Sequence, residues 1–412
     1  MFQKLLTHSV TKNSLALFLL QFVSLIAPLV VLPYLSRVLG VDGFGLIMVV
    51  IAISAVATII TDYGFDLSAT AAISQNRNDV AYVSELIGAV FLIKFSIALL
   101  VLVGILFYYQ FIGSELFSDK LLLFVAFNIL VQAFIPTYFF QGIERMKNIT
   151  IFMVCAKSAY IIMVISFIRE PGDFELVILL LGLSNVVSVC VAIRLIYVNG
   201  YSVTLPTIDI VRVAFKNSSP FFLSRAALAT YTAVNTFLVG TFAGMQQAAF
   251  YGASEKLFLA SKSISAPIVQ ALYPYMAKNS DSKLMFKICF YVGGLLLLGC
   301  GTVFLWANEV MAIIFGSEFE SAGAILQIFL AITVVNFFSQ IFGYPAFAGI
   351  GKIDIANYTV IFGAGVQIFL VSLLFIDNSI TGVNIVLVTL ISEIFVLMSR
   401  IVSYKYYQGF SL

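Results

Sequence analysis

Long runs of apolar residues follow one another along the whole 412-residue chain, with only short polar breaks between them. A water-soluble domain cannot hide such a pattern, because polar residues must cover its large surface. Only 10% of the residues are charged and 61% are hydrophobic, so the chain must meet lipid along most of its length. In hydrocarbon every backbone N–H and C=O has to be paired internally, which leaves helix bundles and closed barrels. Barrel strands alternate apolar and polar residues. These runs are continuous, so an all-α integral membrane protein is expected.

At roughly 20 residues per crossing, twelve transmembrane helices are expected. The first six cover 15–36, 44–64, 83–108, 120–140, 150–168 and 176–198. The second six cover 218–242, 247–275, 286–306, 322–346, 353–376 and 382–402. Residues 1–205 and 206–412 then form two six-helix halves. The first run is too long for a signal-peptide core and lacks a small-x-small cleavage site, so it is expected to stay as an anchor.

Charge sets the orientation. With the N-terminus inside, the cytoplasmic segments hold Lys4, Lys12, Arg77, Arg145, Lys147, Arg194, Arg212, Lys216, Lys278, Lys283, Lys287, Lys352, Arg400 and Lys405. The opposite side holds Arg37, Lys120 and Arg169. The positive-inside rule therefore places both termini in the cytoplasm. The loops are short on both sides and leave no extramembrane domain large enough for an enzyme. His8 is the only histidine, and Cys155, Cys190, Cys289 and Cys300 lie in apolar runs without metal or redox spacing. Histidine catalysis, zinc and haem are thereby disfavoured, and no cofactor is expected. Nothing in the charge pattern points to nucleic acid.

The chain also repeats. Phe140-Gln141-Gly142-Ile143-Glu144-Arg145 returns as Phe347-Ala348-Gly349-Ile350-Gly351-Lys352, 207 positions later. Leu39-Gly40 has a looser echo at Ala243-Gly244. An even number of spans per half gives both halves one orientation, a layout common among secondary transporters. The binding site is then expected in the cleft between the halves. Prolines 28, 33, 136, 220, 267, 274 and 345 lie in or beside spans, as static kinks or as bends that let the halves rock.

Five cations fall within the expected spans: Lys94, Lys157, Arg225, Lys256 and Lys262. Each costs about 2.5–3.5 kcal/mol at a helix centre on insertion scales, so each must face water, a partner or the bundle interior. Asp62, Glu85, Glu255 and Glu393 are the available acids. Lys157 and Arg225 are close enough to span ends to snorkel. Glu255 and Lys262 share a helix face with Ser254, Ser261 and Ser265, which reads as a polar stripe along a water-filled cavity. A cationic cavity suits an anionic substrate such as a pyrophosphate. Glu255 and Asp62 are candidates either for proton coupling or for permanent ion pairing, because a carboxyl group taken out of water holds its proton more tightly while a nearby cation opposes this.

Several stretches resemble the polysaccharide biosynthesis transporters, and among them the O-antigen flippases of the Wzx type. These are Pro33-Tyr34-Leu35-Ser36-Arg37-Val38-Leu39-Gly40 with Gly43-Phe44-Gly45, Phe139 to Lys147, Tyr251-Gly252-Ala253-Ser254-Glu255-Lys256, and Gln270-Ala271-Leu272-Tyr273-Pro274. The resemblance follows the whole chain and implies the fold of the multidrug/oligosaccharidyl-lipid/polysaccharide superfamily, a MATE-like pair of six-helix bundles around a central cleft. It implies a flippase that moves undecaprenyl-pyrophosphate-linked oligosaccharide from the cytoplasmic to the periplasmic leaflet of the bacterial inner membrane, with proton antiport as its usual mechanism. Arg225, Lys256 and Lys262 are the positions that fit its cationic cavity, with Lys94 and Lys157 as further candidates. An O-antigen polymerase and a chain-length regulator are the protein partners such a role brings into view. A membrane-embedded polymerase or glycosyltransferase, and a multidrug or cation antiporter, remain as alternatives.

Overall fold

The structure, a computed structural model, describes residues 9–110, 118–232 and 234–409, with the side chains of 9–26, 108, 223–232 and 408–409 outside the description. The described chain is helical, without strands. In order the helices are α1 Ser9–Asp62, α2 Phe65–Gln75, α3 Val80–Tyr108, α4 Asp119–Ala133, α5 Thr137–Gly142, α6 Met146–Phe167, α7 Phe174–Val198 and α8 Ile208–Thr232. They continue as α9 Val234–Ala243, α10 Met245–Asn279, α11 Ser282–Leu305, α12 Ala307–Phe315, α13 Gly323–Ile341, α14 Tyr344–Gly349, α15 Ile353–Ile376 and α16 Gly382–Gly409. Side-chain caps start several of them. Asp79, Ser118 and Asp281 accept from the backbone N–H of Tyr82, Leu121 and Leu284 and so occupy donors that a helix N-terminus leaves free.

Nine segments among the described residues are long and apolar enough to cross a membrane. One of them, Ala27–Gln75, is 49 residues long. That is roughly 70 Å of helix, more than two hydrocarbon thicknesses. It is interrupted at Gly40, whose φ of 70° and ψ of −179° are not helical. Among the described residues Val234–Ala243 is apolar but short, and Met245–Asn279, which carries Glu255, Lys256 and Lys262, is not one of the nine. Twelve crossings therefore remain an expectation at those two segments.

The repeat has a physical basis in helix ends. In each copy a helix gives way, beside a proline, to a six-residue helix, α5 after Pro136 and α14 with Pro345 in its first turn. Both short helices then end in the same way. Arg145 N–H donates to the Phe140 carbonyl and Lys352 N–H to the Phe347 carbonyl, each at 2.9 Å. The residue before each donor is left-handed, Glu144 at φ 58° and Gly351 at φ 69°. These are Schellman-type ends that satisfy carbonyls the helix leaves free. Gly40 and Gly244 (φ 89°) likewise break the chain at corresponding points. Pro28 and Pro33 lie inside α1, Pro220 inside α8, and Pro267 and Pro274 inside α10.

The chain packs as two compact units, one of Met1–Leu39 with Val50–Ala229 and one of Gly40–Val49 with Thr230–Leu412. The first has a core around Phe139, Phe140, Phe152 and Tyr138, and the second a core around Met276, Met285, Phe337 and Phe347. The repeated phenylalanine thus sits at the centre of each. In the second unit Phe44, fully buried, packs its ring edge-on against Phe315 and Phe319.

Candidate functional site

In the first unit the polar side chains gather where helices break. Asp62 is the last residue of α1, just before Tyr63 and Gly64, both left-handed. Lys94, in the middle of α3, is 1% exposed, and its Nζ lies 2.5 Å from Asp62 Oδ1. The same Nζ sits 5.4 Å from the centroid of the Tyr138 ring, a cation–π contact. Beside them Thr137 donates to Asp66 at 3.1 Å, and Thr70 donates to the Tyr138 carbonyl at 3.1 Å. The hydroxyl of Tyr138 is buried without a hydrogen-bond partner among the described residues. Lys94 and Asp62 are one pair, which is the ion-pairing role that the sequence held open for Asp62. Lys94 is thus held by an acid inside the bundle.

In the second unit α10 carries Glu255, Lys256 and Lys262. Glu255 accepts from Thr236 Oγ1 at 3.2 Å and lies 4.0 Å from Lys256 Nζ. The Glu255 and Lys256 side chains keep 18% and 23% exposure. Lys262 Nζ lies 6.0 Å from the Phe258 ring, which stacks on Phe329. The serine hydroxyls of this stripe all find partners within the second unit. Ser254, Ser261 and Ser265 each donate to a carbonyl three or four residues back. Ser254 also reaches the Ala322 carbonyl, and Ser261 pairs with Thr333 of α13. Lys157 is half-buried on α6 with contacts of its own. Arg225 lies on α8, and its side chain is outside the described residues. Among the described residues Glu85 has no ion pair; it accepts from Thr207 N–H at 2.7 Å and anchors the segment before α8.

Two features were not foreseen. Arg400, counted as an interfacial cation, is 6% exposed and buried at the α13/α14 break. Its Nη1 donates to the carbonyl and hydroxyl of Ser339 at 2.6 and 3.0 Å, and its Nε to Thr359 at 2.9 Å. The second is a buried network joining three helices. Asn235 donates to Thr389 at 3.2 Å, and Gln367 donates to both at 3.3–3.4 Å. Gln367 Oε1 has no partner among the described residues, and buried Glu393 stands one turn beyond Thr389. Outside the membrane segments, Arg77 holds the Glu144 carboxyl below its ordinary range through a 2.7 Å ion pair. Its Nε also donates to the Gly142 carbonyl at the end of α5.

The comparisons agree with this architecture. A protein of Shigella dysenteriae named "Putative O-antigen transporter" is 27% identical over 372 residues, covering 87% of this chain and 91% of that one. One of the same name from Escherichia coli K12 is 24% identical, covering 81% and 82%. The solved structure described as "Lipid II flippase MurJ, inward closed conformation" aligns with a TM-score of 0.70 at 11% identity, covering 95% of this chain and 87% of that one. An outward-facing multidrug resistance MATE transporter of the MOP superfamily aligns at 0.59 and 14% identity, covering 98% of each. The fold is that of these transporters, and the relatives are named as transporters rather than enzymes. Residues 10–280 match the family described as "Polysaccharide biosynthesis protein", and the chain belongs to it.

Proposed function

We propose that the chain is a flippase for lipid-linked O-antigen oligosaccharide. Its cargo rides on undecaprenyl pyrophosphate and passes from the cytoplasmic to the periplasmic leaflet of the bacterial inner membrane by alternating access. Both termini lie in the cytoplasm. The observation that carries this reading is Lys256, a part-exposed cation deep in α10 beside a part-exposed Glu255. A cation at that depth is costly unless it meets an anion or water, and a pyrophosphate supplies the anion. The family membership and the names of the relatives support the cargo class. Arg225 and Lys262 join Lys256 as the cargo's cationic partners. Proton coupling would fall to Asp62 or Glu255, the carboxylates already held beside a cation. Docking to an O-antigen polymerase and a chain-length regulator follows from the same role.

The test places the cargo by leaflet. Right-side-out and inside-out vesicles from a strain lacking the gene are treated with a glycan-cleaving enzyme or lectin. Single repeat units trapped on the cytoplasmic face are expected. Units reaching the periplasmic face at the wild-type rate overturn the proposal. If the chain does flip, collapse of the proton gradient decides the coupling ion.

A further inference from the structure

The helix α11 presents two unlike faces. Met285, Cys289 and Gly293 form a buried row, with Gly293 against the rings of Phe337 and Phe338. About half a turn round the helix, Lys283, Lys287, Phe290, Gly294 and Leu298 fall on one stripe by helical spacing. This stripe is open. Phe290 is 76% exposed and Leu298 68%. A Cβ at Gly294 would meet nothing within 4 Å. The stripe lines a shallow groove of about 1300 Å³, with Phe338 of α13 contributing to its wall.

The two lysines stand at one end of the groove, one turn apart, and both are exposed. Neither has an ion pair among the described residues. The acid closest in sequence, Asp281, is engaged as the N-cap of α11. The rest of the groove is apolar. Tyr291 stands one turn beyond Lys287, where an aromatic ring suits the headgroup level. Paired cations continued by an apolar trough complement one kind of molecule, an amphiphile with an anionic head and a hydrocarbon tail.

We infer that this face of α11 is a seat for an anionic phospholipid. Lys283 and Lys287 take its phosphate, and one acyl chain lies along Phe290, Gly294 and Leu298. The inference does not depend on the cargo and goes beyond the transport reading. A lipid held here would bias α11, and through the buried row α13, without touching Lys256.

Trp306 is the only tryptophan, at the far end of α11. Phe290→Trp in a Trp306→Phe background puts one fluorophore in the groove, while the unaltered chain reports lipid at the other end of the helix. Both are reconstituted in mixtures of phosphatidylcholine and brominated phosphatidylglycerol. Quenching at position 290 is expected to show at least about fivefold preference for phosphatidylglycerol, with none at Trp306. Lys283→Gln with Lys287→Gln should remove the preference, while quenching by brominated phosphatidylcholine stays normal and confirms insertion. Should that pair fail to insert, Gly294→Leu in the reporter background replaces it and should weaken the preference by filling the trough. Equal quenching by the two lipids, or a preference that survives these substitutions, overturns the inference and leaves the flippase reading untouched.

Discussion

Lys94 Nζ and Asp62 Oδ1 lie 2.5 Å apart in a place where Lys94 is almost wholly hidden from solvent. A charge removed from water costs several kcal/mol, and only a partner in good geometry returns it. The pair also fixes the end of α1 against the middle of α3, at the left-handed turn through Tyr63 and Gly64. Lys94→Met alone strands Asp62, and Asp62→Asn alone strands Lys94. Asp62→Asn should cost about 3–5 kcal/mol, and Lys94→Met less, because the Asp62 it leaves behind keeps 28% exposure. The double variant should cost clearly less than the sum. Thermal unfolding in detergent of the two singles and the double provides the cycle. Additive losses would mean that the two groups are not coupled.

Arg400 makes a second prediction of the same kind with a different signature. Its guanidinium collects the Ser339 carbonyl left at the end of α13, the Ser339 hydroxyl and the Thr359 hydroxyl. Those bonds radiate from a planar fork, which an ammonium cannot copy. Arg400→Lys should therefore destabilise by about 1–3 kcal/mol although the charge is kept. The unfolding midpoint of the purified variant decides this, and a midpoint equal to the wild type would show the fork to be dispensable.

Much of this was legible in the sequence. The motif shared by 140–145 and 347–352 was visible as a pattern, and the structure shows its cause in two matching helix ends. The Lys94–Asp62 pair could have been found too. Both residues lie about equally far from the turn at 76–79, so antiparallel helices put them at one depth. Treating each cation by its distance from a span end hid that. Arg400 was harder to see. Near a cytoplasmic end a buried arginine and a snorkelling one look alike, and its partners lie 41 and 61 positions away. The serines of α10 carry a related ambiguity. A hydroxyl can bond a carbonyl one turn back, so polarity on an apolar helix need not mean water.

The two helix ends differ at their left-handed position, and the difference predicts a sign. Gly351 adopts φ 69° without a Cβ, whereas Glu144 adopts φ 58° with one. A left-handed residue with a side chain costs roughly 1–2 kcal/mol. Gly351→Ala should lower stability by about that amount. Glu144→Gly should relieve backbone strain while losing the Arg77 ion pair, and its net effect should be smaller. Melting curves of the two variants test the contrast. A Gly351→Ala protein as stable as its parent would remove the argument.

Surface glycan tests the cationic site. Lys256→Ala should abolish surface polysaccharide while the protein still inserts at normal abundance, and Lys256→Arg should restore most of it, because an anion accepts either cation. Arg225→Ala should behave as Lys256→Ala does. Immunoblots of membranes alongside glycan gels separate transport from insertion. Wild-type glycan from both alanine variants at normal expression removes these residues from the cargo path.

The Arg77–Glu144 pair carries a pH dependence whose direction is fixed. Arg77 holds the Glu144 carboxyl below its ordinary value, through the ion pair and hydrogen bond together. A carboxyl group depressed in the folded state contributes stability above its unfolded pKa, about 4.3. That contribution fades as pH falls through the lower folded value. Glu144→Gln removes it at every pH. Wild type should therefore be the more stable protein at neutral pH, with the gap narrowing below about pH 4.5. The pair is exposed, so the gap should also shrink as salt screens it. Unfolding midpoints of both proteins across that pH range, at low and high salt, measure the gap. A gap that widens on acidification would mean that the ion pair does not lock the end of α5 to the turn before α3.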